Sequence, residues 1–470
     1  MKKLTTLVLA AGLVVSAFAG SASAGEFKPV LQFAEEFTYV DGGKYSDENF
    51  NAATRIRFGF DYIASEDLSA TILFQYRKGS WGHNGDDFTA DPEVNEIGFG
   101  DHFRMRLAYI DWTIPSTDIK VRMGRQPVVT PSYAFGSPIL DGRGDAVSIN
   151  GAVNENISLG LTWLRTDSET NAKKYEVIKD KKELTYGADD ADAVILNAEF
   201  AYDGFKVAPW AAYISAQRNA KLGMTSFDNY HYLDDEAVTK DGLANASADA
   251  YVLGISGELS MFDPFVFAVD ALYSNTKFNN IVNTVEDSFD GFYVGAKASY
   301  KFSNGIASLG GWYTTGSEED NISIKGNDNG FVILDGGFNA STILFGDNII
   351  GCDGYNTLTN DSPFGTWGLI AEYAGFSFLE NLSHTARVVY VQGTNELERD
   401  SYGERGLEFD RLTDEDTLVE VDFNSTYQIY KNFSATLELG YVFVDQAKLA
   451  AGQEEADDIF RSALTFVYKF

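Results

Sequence analysis

The last eleven residues of the chain, FRSALTFVYKF (460–470), alternate in polarity and end on an aromatic residue. Because consecutive side chains of a β-strand point to opposite faces, this segment has one apolar face and one small or charged face. Chain ends are usually polar and loosely held, so a terminal phenylalanine is unexpected at the edge of a soluble sheet. The segment predicts a strand, and it leaves a soluble β-protein and a membrane barrel both open. Its apolar face carries Phe460, Leu464, Phe466, Tyr468 and Phe470.

The amino terminus has the layout of a secretory signal peptide. Lys2 and Lys3 precede an apolar run over residues 4–19, and the small residues at 21–24 offer a cleavage site. The run is too short for a stable membrane helix, which disfavours a retained anchor. We therefore predict a signal peptide over residues 1–24 and one mature domain over 25–470. Since no later stretch is long and apolar enough for a helical span, a membrane location requires a closed β-barrel.

Composition narrows the class of protein. The formal net charge is −33, which argues against nucleic acid as a partner, because such binding depends on basic patches. The chain has 35 Phe, 25 Tyr and 44 Gly, residue types that suit strands, membrane-interface girdles and tight turns. Its single cysteine, Cys352, cannot form an internal disulfide. An exported chain without disulfides needs another source of stability, and a large closed sheet is one.

One pattern repeats along the whole chain. Segments of roughly ten to thirteen residues alternate apolar and polar positions, and the connections between them are alternately short and long. This pattern predicts an all-β, transmembrane antiparallel β-barrel of about 18 strands, with 16 strands as the alternative count. A β-propeller or a run of sandwiches would also give many strands. Neither of them predicts one fixed apolar face or alternating loop lengths.

The polar faces of the early strands are basic. In the fourth segment, for example, the alternation places Leu107 and Tyr109 on the outward face, with Arg104 and Arg106 inward. Several later strands carry inward acids such as Asp270 and Glu420. A transverse field across a wet lumen would follow from this asymmetry, although a lining that is merely polar is the simpler interpretation. The predicted basic wall consists of Arg55, Arg57, Arg77, Arg104, Arg106, Lys120 and Arg122.

The most distinctive connection runs from Gly124 to Asp145, GRQPVVTPSYAFGSPILDGRGD. Three prolines stiffen it, and Tyr133, Phe135 and Leu140 give it apolar material to pack. We predict that it folds into the barrel as a constriction loop and presents Asp141 and Asp145 toward the basic wall. The alternative is a stiff external loop packed on the rim.

These features together resemble the trimeric general porins of Gram-negative outer membranes, and most closely the homotrimeric porin family of sulfate-reducing bacteria. The resemblance covers the mature chain, and its more specific parts are the aromatic ending and GRQ with the proline-rich loop after it. In general porins the third long loop narrows the channel opposite an arginine cluster. The resemblance therefore assigns Tyr133, Asp141, Arg143 and Asp145 to the constriction loop. Arg143, between the two loop acids, departs from the pattern and leaves the ion selectivity open.

The resemblance also implies a location and partners. Leu464, Phe466, Tyr468 and Phe470 resemble the signal that the barrel assembly machinery reads. A multi-pass barrel in the cell outer membrane would contact outer-membrane lipid, and the family implies a homotrimer. The function that follows is a porin that admits small hydrophilic solutes and ions by passive diffusion. A substrate-specific channel for small anionic solutes, such as sulfate or organic acids, is the alternative.

Catalysis and cofactor chemistry find no support in the sequence. The four histidines lie in separate segments, and no nucleophile, base and orienting acid stand in a recognisable pattern. No metal-binding motif with complete ligand spacing occurs, so we predict neither an enzyme nor a bound cofactor. The acid-rich loops could still hold divalent cations loosely.

Overall fold

The chain forms one closed antiparallel β-barrel in the computed structural model. The eighteen strands pair in chain order, and β18 pairs with β1 to close the sheet. The structure describes residues 25–43, 49–78, 81, 103–178, 181–217, 247–279, 288–316, 331, 333–346, 358–359, 362–396, 412–447 and 455–470. The predicted signal peptide over 1–24, Cys352 and the loop histidines His83, His102 and His231 lie outside these residues. None of the described residues belongs to a helix that could span a membrane.

Eighteen strands confirm the predicted count and exclude the alternative of sixteen. The strands are β1 (Glu26–Gly43), β2 (Asn49–Ile63), β3 (Leu68–Lys78), β4 (Phe103–Thr113), β5 (Ile119–Val129), β6 (Asp141–Asn154), β7 (Ile157–Ile178), β8 (Lys181–Tyr202), β9 (Phe205–Gln217), β10 (Ser247–Leu259), β11 (Phe265–Asn279), β12 (Ser288–Phe302), β13 (Gly305–Thr314), β14 (Thr366–Phe376), β15 (Leu382–Gly393), β16 (Thr417–Tyr430), β17 (Phe433–Asp445) and β18 (Asp457–Lys469).

The carboxy-terminal segment closes the barrel as the sequence predicts. The alternation of β18 places Phe460, Leu464 and Tyr468 on the outside, each 36% exposed. Phe470, the last residue, donates its backbone N–H to the carbonyl of Leu31 at 2.8 Å and is itself 72% exposed. The pairing of the first strand with the last therefore continues to Phe470 and closes the sheet.

The outer surface has the pattern of a wall in contact with lipid. Large apolar side chains stand exposed on the outward positions of the strands, far more than the surface of a soluble monomer carries. Aromatic rings form one row toward the short turns, where the ring centroids of Phe265 and Tyr300 are 4.9 Å apart. A second row lies toward the long loops, where the ring centroids of Tyr213 and Tyr251 are 5.1 Å apart. Such paired girdles bound an apolar band that in known barrels is ~25 Å tall.

Strand β4 departs from simple alternation at a β-bulge, and this corrects part of the sequence-based assignment. In the pairing of β3 with β4, Leu73 lies opposite Leu107 but Phe74 lies opposite Met105, so Arg106 is an extra residue in a β-bulge. The bulge exchanges the two faces of β4 beyond that point. Leu107 and Tyr109, predicted to face outward, therefore face the lumen. The exposed side chains of this half of the strand are Ile110 and Trp112, at 46% and 40%.

Candidate functional site: the barrel interior

The connection between β5 and β6 folds into the barrel. Asp270 on β11 is only 4% exposed and accepts hydrogen bonds from Ser132 Oγ (2.7 Å) and from the backbone N–H groups of Tyr133 and Ala134 (both 2.8 Å). Ser256 on β10 donates to the Pro131 carbonyl at 2.9 Å. Because β11 lies six strands from β5 in the sheet order, the loop must cross the interior to make these contacts. The inward fold predicted for this loop is thus present in residues 130–140.

Tyr133 adds a side-chain contact at the end of this crossing. Burial, with Glu199 and Glu258 nearby, raises the pKa of Tyr133 to about 12. The phenol therefore stays protonated throughout the physiological pH range and can donate to Glu199. Tyr133 thus lies against the wall at this point and helps to hold the loop there.

A second connection, between β13 and β14, also enters the lumen. Glu420 on β16 is fully buried and accepts the backbone N–H groups of Thr342 (3.0 Å), Ile343 (2.6 Å) and Leu344 (3.0 Å). Asp422 accepts the same Thr342 N–H at 3.0 Å. Each acid thus holds loop backbone in place by accepting hydrogen bonds from its N–H groups.

From the sequence this connection is only one of the long ones, and the structure shows that residues 333–346 of it fold inward. The signal was present in the composition of residues 331–345, FVILDGGFNASTILF, where Phe331, Phe338 and Phe345 recur every seven residues beside two short aliphatic runs. Those three rings are 0–4% exposed. Apolar content inside a supposedly solvated loop was the feature used to identify the first inward loop, and it applied equally to the second.

The two loops meet and pair inside the barrel. Backbone hydrogen bonds run from Leu334 to Ile139 (3.0 Å), from Gly337 to Ser137 (2.8 Å) and from Asn339 to Phe135 (2.7 Å), written from donor to acceptor. Beneath them lies an aromatic cluster of Phe135, Tyr293, Trp312, Phe338 and Phe345, none more than 6% exposed. The paired loops, residues 130–140 and 333–345, therefore form one structure inside the barrel, which we call the partition. It is attached to β10, β11 and β16 by the contacts given above.

The basic wall lies on strands away from these attachments. Gln75 Oε1 accepts from Arg57 Nε at 2.8 Å and from Arg106 Nη1 at 3.0 Å, while Gln32 Oε1 accepts from Arg57 Nη1 at 3.3 Å and from Arg55 Nη2 at 3.5 Å. These acceptors are neutral amides, and their hydrogen bonds hold the guanidinium groups in place on the wall. The structure thus brings Arg55, Arg57 and Arg106 together on β2 and β4. Sequence reasoning missed the two glutamines that hold them.

The other predicted wall residues divide into three cases. Lys120 and Arg122 lie close to Asp111, with N–O distances of 2.8 Å and 2.6 Å, and Arg122 also covers the Tyr109 ring at 4.2 Å. The one carboxylate offsets one of these two positive charges. Arg104 lies opposite Gln75 in the register, facing the lumen and exposed. Arg77 lies in β3, but its side chain is outside the described residues.

Three residues predicted for the constriction loop occupy strand β6 instead. Asp141 is its first residue, and a Cβ added to Gly337 would lie 2.5 Å from the Asp141 Cβ, so it borders the partition. Arg143 and Asp145 share the outward parity of Val147 and Ile149, and Asp145 lies 3.6 Å from Arg125 on β5. Because β5 continues to Val129 and pairs there with Asp141, the loop is shorter than the proline pattern suggests.

A glycine at the meeting point of the loops provides a test of the partition. Gly136 has φ +86°, and an added Cβ would lie 2.2 Å from the Gly337 carbonyl oxygen. We expect Gly136→Ala to cost ~1–2 kcal/mol through backbone conformation alone, plus the clash with Gly337. Limited proteolysis of the folded barrel in detergent should then cut within 130–140 or 331–345. The control is Gly257→Ala, where the atom nearest to the added Cβ is 3.6 Å away. If both variants resist the protease equally, the contact between Gly136 and Gly337 is contradicted.

Comparison with known proteins identifies the fold. No protein-family model matches the chain, and no curated protein matches its sequence. Its structure is similar to that of Pseudomonas aeruginosa OccK11 (OpdR), with a TM-score of 0.53 and 11% identity over 94% of this chain and 96% of that one. For Pseudomonas aeruginosa OpdQ the TM-score is 0.53 and the identity 11%, over 95% of this chain and 99% of that one. For Acinetobacter baumannii OccAB1 the TM-score is 0.52 and the identity 12%, over 94% of this chain and 97% of that one. The chain therefore has the closed eighteen-stranded barrel fold of outer-membrane porin structures.

Proposed function

We propose that this protein is an outer-membrane channel through which small hydrophilic solutes and ions diffuse passively. The observation that carries the proposal is a closed barrel whose interior is narrowed by a partition on one side and lined by fixed cations on the other. The partition is attached to β10, β11 and β16, whereas Arg55, Arg57 and Arg106 lie on β2 and β4. A barrel of this strand number has room for an aqueous path between the two.

The barrel's outer surface supports the location. Its apolar band and aromatic rows match the surface of a barrel that spans a bilayer, and single-chain barrels of even strand number are typical of bacterial outer membranes. The structurally similar proteins are porins and not enzymes, which favours transport over catalysis. The signal peptide, recognition by the assembly machinery and a homotrimer like that of the sulfate-reducer porins are further parts of the proposal, supported by the sequence patterns alone.

Selectivity for small anionic solutes is the second candidate function. The specific observation that favours it is the row Gln32, Arg57, Gln75, Arg104, in which each residue is the direct Cα partner of the next across four strands. Alternating cations and amides offer a carboxylate or sulfate successive hydrogen-bond donors with no strong trap between them.

Conductance tests the proposal directly. Reconstituted in a planar bilayer, the folded protein should give stable stepwise currents, and the reversal potential in a salt gradient should favour anions because the described wall is basic. Added carboxylate or sulfate should reduce chloride current if those solutes occupy the arginine row. A blank recording from protein that is folded, as judged by heat-modifiable migration on a gel, would contradict the channel. Current without anion preference would remove only the second candidate.

A further inference from the structure

A row of polar residues crosses the lumen face of β5, β6, β7 and β8, on the short-turn side of the partition. Lys120, Asn150, Gly160 and Asn197 follow one another in this row, and each is the direct Cα partner of the next. Leu161, the neighbour of Gly160, is 45% exposed on the outer surface, so alternation turns the row toward the lumen. The row therefore lies on the wall of the proposed solute path.

Gly160 leaves a recess in this row, and two asparagine amides converge over it. A Cβ at Gly160 would lie 2.6 Å from Asn150 Oδ1 and closer still to Asn197 Oδ1. Both carbonyl oxygens are thus turned to one point of the wall, although β7 separates their strands. Neither amide makes a hydrogen bond with any residue that the structure describes. Each therefore retains an acceptor and two N–H donors for a solute.

A pair of hydroxyl groups lies beside the recess, on the side toward the partition. Thr162 Oγ1 donates to Ser148 Oγ at 2.9 Å, and these two residues are Cα partners two positions along the same strands. Together with the two amides, Lys120 and residues 126–129, they line a cavity of about 300 Å³. This volume lies at the lower end of the range of ~300–1,000 Å³ that is typical of small-molecule sites.

The chemistry of the recess fits hydroxyl groups better than anions. Asp111 lies 2.8 Å from Lys120 Nζ and 2.6 Å from Arg122 Nε, so part of the positive charge beside the cavity is already offset. A carboxylate or sulfate ion only accepts hydrogen bonds, and it would leave the Asn150 and Asn197 carbonyl oxygens without a donor. A hydroxyl group both donates and accepts, as an amide does. Two neighbouring hydroxyls of one solute can therefore satisfy both amides at once.

We propose that the recess at Gly160 is a binding site for polyhydroxylated solutes, that is, sugars and sugar alcohols. Asn150 and Asn197 bind adjacent hydroxyl groups of the solute, and glycine is present between them because any side chain would occupy the place of the solute. The inference rests on the proposed channel function, and it names a class of solute for that channel.

Inhibition of chloride current by sorbitol tests the site in the full chain. In planar bilayers, sorbitol should reduce single-channel current in a saturable way, whereas an effect of viscosity alone increases without saturation. Triethylene glycol dimethyl ether has oxygen acceptors but no hydroxyl group, and it should give no saturable reduction. Asn150→Leu/Asn197→Leu keeps the side-chain size and should raise the half-blocking sorbitol concentration by about tenfold, the effect expected for the loss of two or more neutral hydrogen bonds.

The matched control removes a hydroxyl group from another part of the lumen wall. Thr436→Val on β17 preserves the shape of a residue that hydrogen-bonds with Thr426, and it should leave the half-blocking concentration unchanged. Gly160→Ala is a second, smaller change, which should also weaken the block because its methyl group enters the recess. It serves as the test if the double variant forms no channels.

Three results would overturn the proposal. The first is a sorbitol block that is equally strong in the unmodified channel and in the Asn150→Leu/Asn197→Leu or Gly160→Ala variants. The second is the absence of a saturable sorbitol block in the unmodified channel. The third is a block by gluconate without one by sorbitol, which would assign the cavity to anions held by Lys120. A folded protein that carries no chloride current would instead contradict the proposed function, so the two failures are distinct.

Discussion

Replacement of Arg57, Arg104 and Arg106 by glutamine is expected to change the permeability ratio of cations to anions by roughly three- to tenfold toward cations, because several kT of local positive potential are removed. Arg57 and Arg106 share the Gln75 oxygen, and Arg104 is the Cα partner of Gln75. Arg122 is left in place because Asp111 already offsets its charge. The reversal potential in a potassium chloride gradient measures the change.

The matched control for charge is Arg143→Gln, which removes a cation from the outer face of the barrel. It should leave the reversal potential unchanged at moderate salt, since exposed charges more than ~10 Å apart are largely screened at 0.1 M. High salt should also reduce the effect of the triple variant, in keeping with an electrostatic origin. An unchanged reversal potential in a folded triple variant would mean that these arginines do not line the narrowest part of the path.

Removal of the two anchoring acids is expected to open the channel. Asp270→Ala and Glu420→Ala each delete three hydrogen bonds to loop backbone or hydroxyl groups, and hydrogen bonds to a charged group contribute ~1.5–3 kcal/mol each. Since 1.4 kcal/mol is a tenfold change in an equilibrium constant, the loss far exceeds what is needed to detach a loop for much of the time. Single-channel conductance should rise by about twofold with frequent closures, because the partition would no longer be fixed.

Solute size provides the second measurement of this effect. Liposomes that contain the Asp270→Ala/Glu420→Ala barrel should swell in sugars that the unmodified protein excludes. Asp290→Ala is the control, because Asp290 accepts a hydrogen bond from Tyr273 on the outer surface and has no part in the partition. Unchanged conductance and an unchanged size limit in the folded double variant would show that the loops are held by their apolar contacts with Trp312 and Phe338 instead.

The anchoring acids also change how the lumen's charge is understood. Sequence parity placed Asp270, Glu420 and Asp422 on a negative wall opposite the arginines. In the structure they are 0–4% exposed and are covered by loop backbone. Loop N–H groups contact them at short range, so these three acids do not face the open part of the lumen, whereas the arginines of β2 and β4 lie on its wall. Charge in the open part of the lumen is therefore distributed more to the basic side than alternation predicts.

The sequence by itself determined the barrel. Alternation within segments, the regular change of loop length and the aromatic ending depend only on local backbone geometry and on the contrast between lipid and water. The alternation is repeated in every strand, so a wrong assignment in one segment does not affect the assignment of the others. For the same reason the strand count and the inward placement of Arg55, Arg57 and Arg104 could be predicted without a structure.

Only the tertiary structure decided which residues form the site. A single bulge at Arg106 moved Tyr109 from the lipid side to the lumen, and nothing local in the sequence marks an extra residue of that kind. The partition arises from contacts between positions about 200 residues apart, such as Phe135 with Phe338, and alternation carries no information about such distances. Period-two patterns specify a face, whereas the pairing of loops across a lumen depends on three-dimensional fit. That is why the wall and the inward fold of the first loop could be predicted, and the pairing of that loop with the second could not.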